Sequence, residues 1–278
     1  MEINGINLEK MQVQFKLLSE WPYYDDKKKK AIITRLEQFY LELVEKSKGT
    51  SVKPFPQENG KVKIVPGMPN HSCSNLLGTL RGISQYGIIA SEWFGIPESE
   101  KECRFCASIA KIHSEDSDKN AIIRNYNRLN NNTSRILLFL DESNPIMQKL
   151  LHLDYFEYER IKQQNPEELI KIYNRDEIEL FDQIIEPLSP QGKSFHLRYQ
   201  LPFYDWSAIP GGIPSTLVNG ICIKSNNYEK EYVEEIARLF PNATIFNRNL
   251  EIIYISKIKS EMQEESDTGP KKIEDSER

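Results

Sequence analysis

The longest strong apolar run in the chain, Ile136 to Leu140, holds only five residues. A helix that crosses a bilayer needs about 20, whereas five apolar residues between Arg135 and Asp141 suit a buried strand. Any core must therefore be assembled from many short strands and amphipathic helices. A chain of 278 residues with 39% hydrophobic and 28% charged residues is long enough to do this. Four cysteines do not make a disulfide scaffold, and the opening residues MEINGINLEKMQVQ show no basic region followed by an apolar one. A cytoplasmic setting is the expectation.

Four segments organise the sequence. Residues 1–50 read as a helical extension, with a short helix from about Asn7 to Glu20 and a longer one from Lys29. In the longer helix Ile32, Ile33, Leu36, Phe39, Tyr40, Leu43 and Val44 form one apolar stripe, and Gly49 is placed to end it. Residues 51–61, with Pro54, Pro56 and Gly60, read as a linker. Residues 62–259 form the main unit, and 260–278 an acidic tail expected to be disordered.

Within the main unit, strands are expected at Val62–Val65, Ile88–Ala90, Arg135–Leu140, Ser194–Leu201, Leu217–Ile223, Thr244–Phe246 and Ile252–Ile255. Helices are expected at Ser74–Tyr86 with Ser74 as N-cap and Gly87 as terminator, from Pro145, over Pro166–Ile185, and over Glu229–Phe240. Phe105–Ile112 fits either state. Strands and helices interleave without a βαβ rhythm, so the fold class is α+β, a mixed β-sheet core with flanking helices.

Charge limits the partners. The tail from Ser260 carries a net −4 of the chain's −5, leaving the body at −1. Such a body has no broad basic field for nonspecific nucleic-acid binding. Lys27 to Lys30 reads as a solvated helix start.

Three segments carry candidate chemistry: His71-Ser72-Cys73, Cys103-x-x-Cys106 with His113 downstream, and Tyr204-Asp205-Trp206 running into Pro210-Gly211-Gly212-Ile213-Pro214. Cys73, Cys103, Cys106 and His113, with His71 as a further donor, make an alternative zinc set. A zinc deaminase is excluded, because no carboxylate lies in the ten residues after His71 to shuttle protons. Gly211 and Gly212 are free to take positive φ and form either a stiff structural corner or a ligand wall.

His71 followed by Ser-Asn-Leu-Leu-Gly-Thr-Leu-Arg-Gly-Ile-Ser-Gln-Tyr-Gly-Ile-Ile, and later Ile-Pro-Gly-Gly-Ile-Pro-Ser-Thr-Leu-Val-Asn-Gly-Ile-Cys-Ile, resemble two segments of ADP-ribosyltransferase-like domains. The resemblance spans roughly Val62 to Ile255 but is carried by these two segments alone. It implies that His71, at the end of a first strand, bonds the nicotinamide ribose of NAD. It also implies that Trp93 or Phe94 stacks on the ligand and that Asp205 stands nearest the catalytic acid. Arg81, Gly211 and Gly212 would line the same cleft. The chain departs from the family pattern in having Ser72 for a glycine, no Ser-Thr-Ser strand motif, and an aspartate for the usual glutamate. An inactive nucleotide-binding relative is thus an expectation beside an active transferase. Two alternatives need no nucleotide: a protein-interaction module using the N-terminal helices, and a zinc-stabilised domain.

Overall fold

The computed structural model describes residues 2–3, 6–7, 27–89, 106–112, 135–185, 206–223 and 228–255. In chain order these form β1 (Glu2–Ile3), β2 (Ile6–Asn7), α1 (Lys27–Lys48), β3 (Gln57–Glu58), β4 (Lys61–Val62), β5 (Pro69–Ser74), α2 (Leu77–Tyr86), β6 (Ile88–Ile89), β7 (Cys106–Lys111) and β8 (Arg135–Leu140). Four helices follow, α3 (Pro145–His152), α4 (Tyr155–Gln164), α5 (Pro166–Ile172) and α6 (Arg175–Ile185). Then come β9 (Trp206–Pro210), β10 (Gly212–Ile213), a 3-10 turn (Ser215–Leu217), β11 (Val218–Ile223), α7 (Lys230–Leu239), β12 (Thr244–Asn247) and β13 (Ile252–Tyr254).

A seven-stranded sheet of order β13-β12-β11-β8-β5-β7-β9 forms the centre. Only β11 and β12 run parallel; the other neighbours are antiparallel, so the sheet is mixed and the fold is α+β. The apolar run of β8 lies in the middle and is buried on both faces, as a continuous rather than alternating run requires. Ile136, Leu138 and Leu140 point into one cluster with Leu80, Leu150, Val233 and Ile236 from α2, α3 and α7. Leu137 and Phe139 point the other way, against Phe55, Cys222 and Phe246.

The second face is covered by the segment that reads as a linker in the sequence. Phe55 is 1% exposed, its ring packs on Phe139 and Phe246, and it occupies the space a Cβ on Gly220 would need. The Lys53 amide donates to Asp141 Oδ2 at 2.7 Å, and Asn144 Nδ2 donates to the Ser51 carbonyl. Phe55 therefore ties this segment into the core, while Ser51, Lys53 and Pro54 stay exposed. The prolines shape it rather than loosen it.

The N-terminal helix is also part of the body. Tyr40 is 2% exposed, and its hydroxyl donates to the Tyr86 carbonyl at the end of α2. Gly87 (φ 89°) lies against the Tyr40 hydroxyl and Gly212 (φ 149°) against its ring, where a side chain would collide. Burial pushes the Tyr40 phenol well above its ordinary value of 10.0.

Several elements differ from the sequence expectation. Asn7 pairs with Glu2 in a short hairpin, and the rest of the helix expected to Glu20 lies outside the described residues. The Asn4-Gly5 sequence between the paired residues favours two-residue hairpin loops. Ser74 ends β5 and does not cap α2, because its pairing with Arg135 extends the strand. Its hydroxyl still accepts from the Leu76 amide. The expected helix over 166–185 is two helices broken at buried Tyr173. Asn174 and Glu177 exchange backbone and side-chain bonds there, a reciprocal cap that starts α6. Ser194–Leu201 lies outside the described residues.

Because Tyr40 fills a fully enclosed position, Tyr40→Ala is expected to lower the unfolding free energy by about 3–5 kcal/mol. Tyr40→Phe, which removes only the hydrogen bond, is expected to cost about 1 kcal/mol. Chemical denaturation of the full chain measures both; equally small losses would show that α1 stands outside the cooperative core.

Candidate functional site

The register of the sheet is uneven. β5 pairs with β8 through five residues, Asn70 to Ser74, and β7 pairs with β9 through five, Cys106 to Ala110. Between β5 and β7 the ladder has only two pairs, Pro69–Lys111 and Asn70–Ala110. The Gly67 amide and the Ile112 amide add two bonds at the same end. Past Asn70 no further pair joins β5 to β7 among the described residues, so the sheet divides into a five-strand part and a β7–β9 ribbon.

His71 is the first residue beyond that last pair. It is half-buried and pairs with Leu138 on β8. It sits mid-strand, not at the strand's end as the sequence suggests. Its side chain shares a face with Cys73, by the period of two along a strand. Ser72 alternates with them. The Met68 carbonyl accepts from Ile112 on the β7 side, so the peptide groups of Asn70 and Ser72 also point to that side. The Ser72 peptide thus faces the split. Its hydroxyl oxygen is buried with no hydrogen-bond partner, as is Asn70 Oδ1 on the same face of the strand.

The opposite wall is β7, backed by β9. Trp206 pairs with Ala110, which pairs with Asn70, so these three backbones form one row. Two strand spacings separate Trp206 from Asn70, roughly 10 Å. Asp205 precedes Trp206 in the chain and itself lies outside the described residues, as do Trp93 and Phe94.

The remaining expected residues have different surroundings. Arg81 is on exposed helix surface and holds Glu235 of α7 through Nε at 3.2 Å and Nη2 at 2.9 Å. Gly211 (φ 79°) and Gly212 both take the positive φ anticipated for them. They turn the chain from β9 into the β6–β10 ribbon, where a Cβ on Gly212 would meet the Ile88 carbonyl at 2.8 Å. The corner itself therefore calls for both glycines. Of the alternative zinc set, Cys73 is buried in the helix-side core and Cys106 opens β7. Cys103 and His113 lie outside the described residues. Among the described residues no three His, Cys, Asp or Glu side chains gather as a metal site would require.

One residue of this region has no warning in the sequence beyond its helix-start pattern. Asp154 is 9% exposed, and its Oδ1 accepts from the Phe156 amide at 3.1 Å, capping α4. The same oxygen accepts from the Ala208 amide of β9 at 2.9 Å, and the Ser207 hydroxyl also bonds the carboxylate. Burial raises its pKa above the ordinary 3.8 and outweighs those donors and the Lys111 charge, all of which lower it.

Comparison of the chain with known protein families, characterised proteins and solved structures finds no match.

A raised carboxyl pKa means the folded protein holds this proton more tightly than the unfolded chain does. The contribution is full below about 3.8 and is lost as pH rises through the elevated value. Asp154→Asn removes the titration. Its melting temperature relative to the parent is therefore expected to improve as pH rises from about 4 to 7. A difference that is flat with pH would contradict the assignment.

Proposed function

We propose that this chain holds an NAD-type nucleotide in the split between β5 and β7 and works as an ADP-ribosyltransferase-like enzyme. The observation that supports the reading is the short β5–β7 join, which leaves the strand edge at Ser72 unclaimed by β7 directly beside His71. A planar carboxamide carries one acceptor and two donors, so it pairs with an open peptide edge as a neighbouring strand would. His71, one residue earlier, supplies an imidazole for ribose hydroxyls.

In this reading the bound NAD supplies a glycosidic bond whose cleavage releases nicotinamide with the bonding electron pair. The chain's part is to hold both sides of that bond still and to favour positive charge on the ribose. Asp205 is the carboxylate assigned to the second task, where a fixed negative group acts best in a site shielded from water. The Trp206 backbone, next in the chain, lies in one row with Ala110 and Asn70, at the joined end of the split. Transfer is complete when an acceptor atom bonds the ribose carbon and gives up its proton. Gly211, Gly212 and Arg81 drop out of the reading, because the corner and the Glu235 pair account for them.

Isothermal titration of the full chain with NAD and with ADP-ribose tests this. Binding of at least one is expected, weakened about tenfold or more in His71→Ala, a loss of about 1.4 kcal/mol. No heat for either ligand at millimolar concentration would overturn it.

A further inference from the structure

β9 is the last strand on its side of the sheet. An edge strand leaves every second amide turned outward with no strand to receive it. Here the outward Ala208 amide ends on Asp154 Oδ1. That oxygen also caps α4 through Phe156, so one carboxylate fastens the sheet's edge to the start of a helix. Around it, Leu153, Tyr155, Tyr158 and Ala208 belong to one apolar cluster with Phe181 of α6. A two-stranded ribbon is marginal on its own, and β7–β9 joins the larger part of the sheet through two residue pairs. The position of the ribbon is thus set from its outer side.

We infer that Asp154 is a positioning residue of the split: by tying Ala208 to the head of α4 it holds the β7–β9 wall at a fixed distance from β5. The consequence for ligand affinity rests on the nucleotide reading above; the structural clasp does not. A carboxylate suits the task because one oxygen accepts from two amides while Ser207 donates to the same group. Helices α3 to α6, which lack an evident role in the sequence, become the support against which the site is built.

Two full-length variants separate clasp from cap. Asp154→Ser keeps a hydroxyl for the Phe156 amide, a good N-cap, but is one bond shorter and releases Ala208. Asp154→Asn keeps the acceptor oxygen in place. In hydrogen exchange, the Ala208 amide is expected to exchange about tenfold faster or more in the Ser variant, with Asn close to the parent and β8 amides unchanged. The NAD dissociation constant is expected to rise about fivefold or more in the Ser variant and to be restored in the Asn variant. Unchanged Ala208 exchange in the Ser variant, or NAD affinity equal to the parent's, would overturn the inference. If the parent binds no NAD, the nucleotide reading falls, and the exchange comparison alone decides whether Asp154 holds the wall.

Discussion

Two residue pairs, Pro69–Lys111 and Asn70–Ala110, join the two parts of the central sheet, and the rest of the structure is arranged around that economy. A sheet normally stabilises itself by continuing its ladder, since unpaired peptide groups in a dry interior cost about 1–3 kcal/mol each. Here the ladder stops where His71 begins. The larger part tolerates this because β8, beside β5, buries apolar side chains on both faces. Its stability comes from α2, α3 and α7 on one side and the Phe55 layer on the other, not from the strands beyond β5.

The smaller part needs other support. β7 carries small residues, and Ala107 and Ala110 bring little apolar area to the core. β9 is held by β7 on one edge and by Asp154 on the other. The four-helix segment from Pro145 to Ile185 carries its own aromatic cluster of Tyr155, Tyr158, Tyr173 and Phe181, which makes it a firm anchor. Short ladder, polar clasp and aromatic anchor together leave β5 and β7 joined at one end without an unstable sheet.

Local pattern made part of this legible. The apolar run of β8, the stripe of α7 and the Gly87 terminator of α2 are all readable, because each depends on neighbours within a few positions. Phe105–Ile112 is ambiguous by pattern, as Cys-Ala-Ser-Ile-Ala-Lys favours neither state strongly. It becomes a strand because β5 and β9 flank it. Pro54, Pro56 and Gly60 resemble punctuation, yet Phe55 between them meets Gly220, a partner 165 positions away that no local rule supplies. For the site, His71 and the Gly211-Gly212 corner stand out in the sequence. The strand edge at Ser72 and the Asp154–Ala208 bond do not, because register and long-range hydrogen bonds have no local signature. The Asp-Tyr-Phe-Glu start of α4 marks a cap, but only the fold reveals its second bond.

Cross-strand backbone contacts between β5 and β7, read as nuclear Overhauser effects in the deuterated full chain, decide whether the sheet is split. Contacts are expected between Asn70 and Ala110, with none between Ser72 and Ser108. A ladder that continues through Ser72 and Ser108 would close the split and contradict the account.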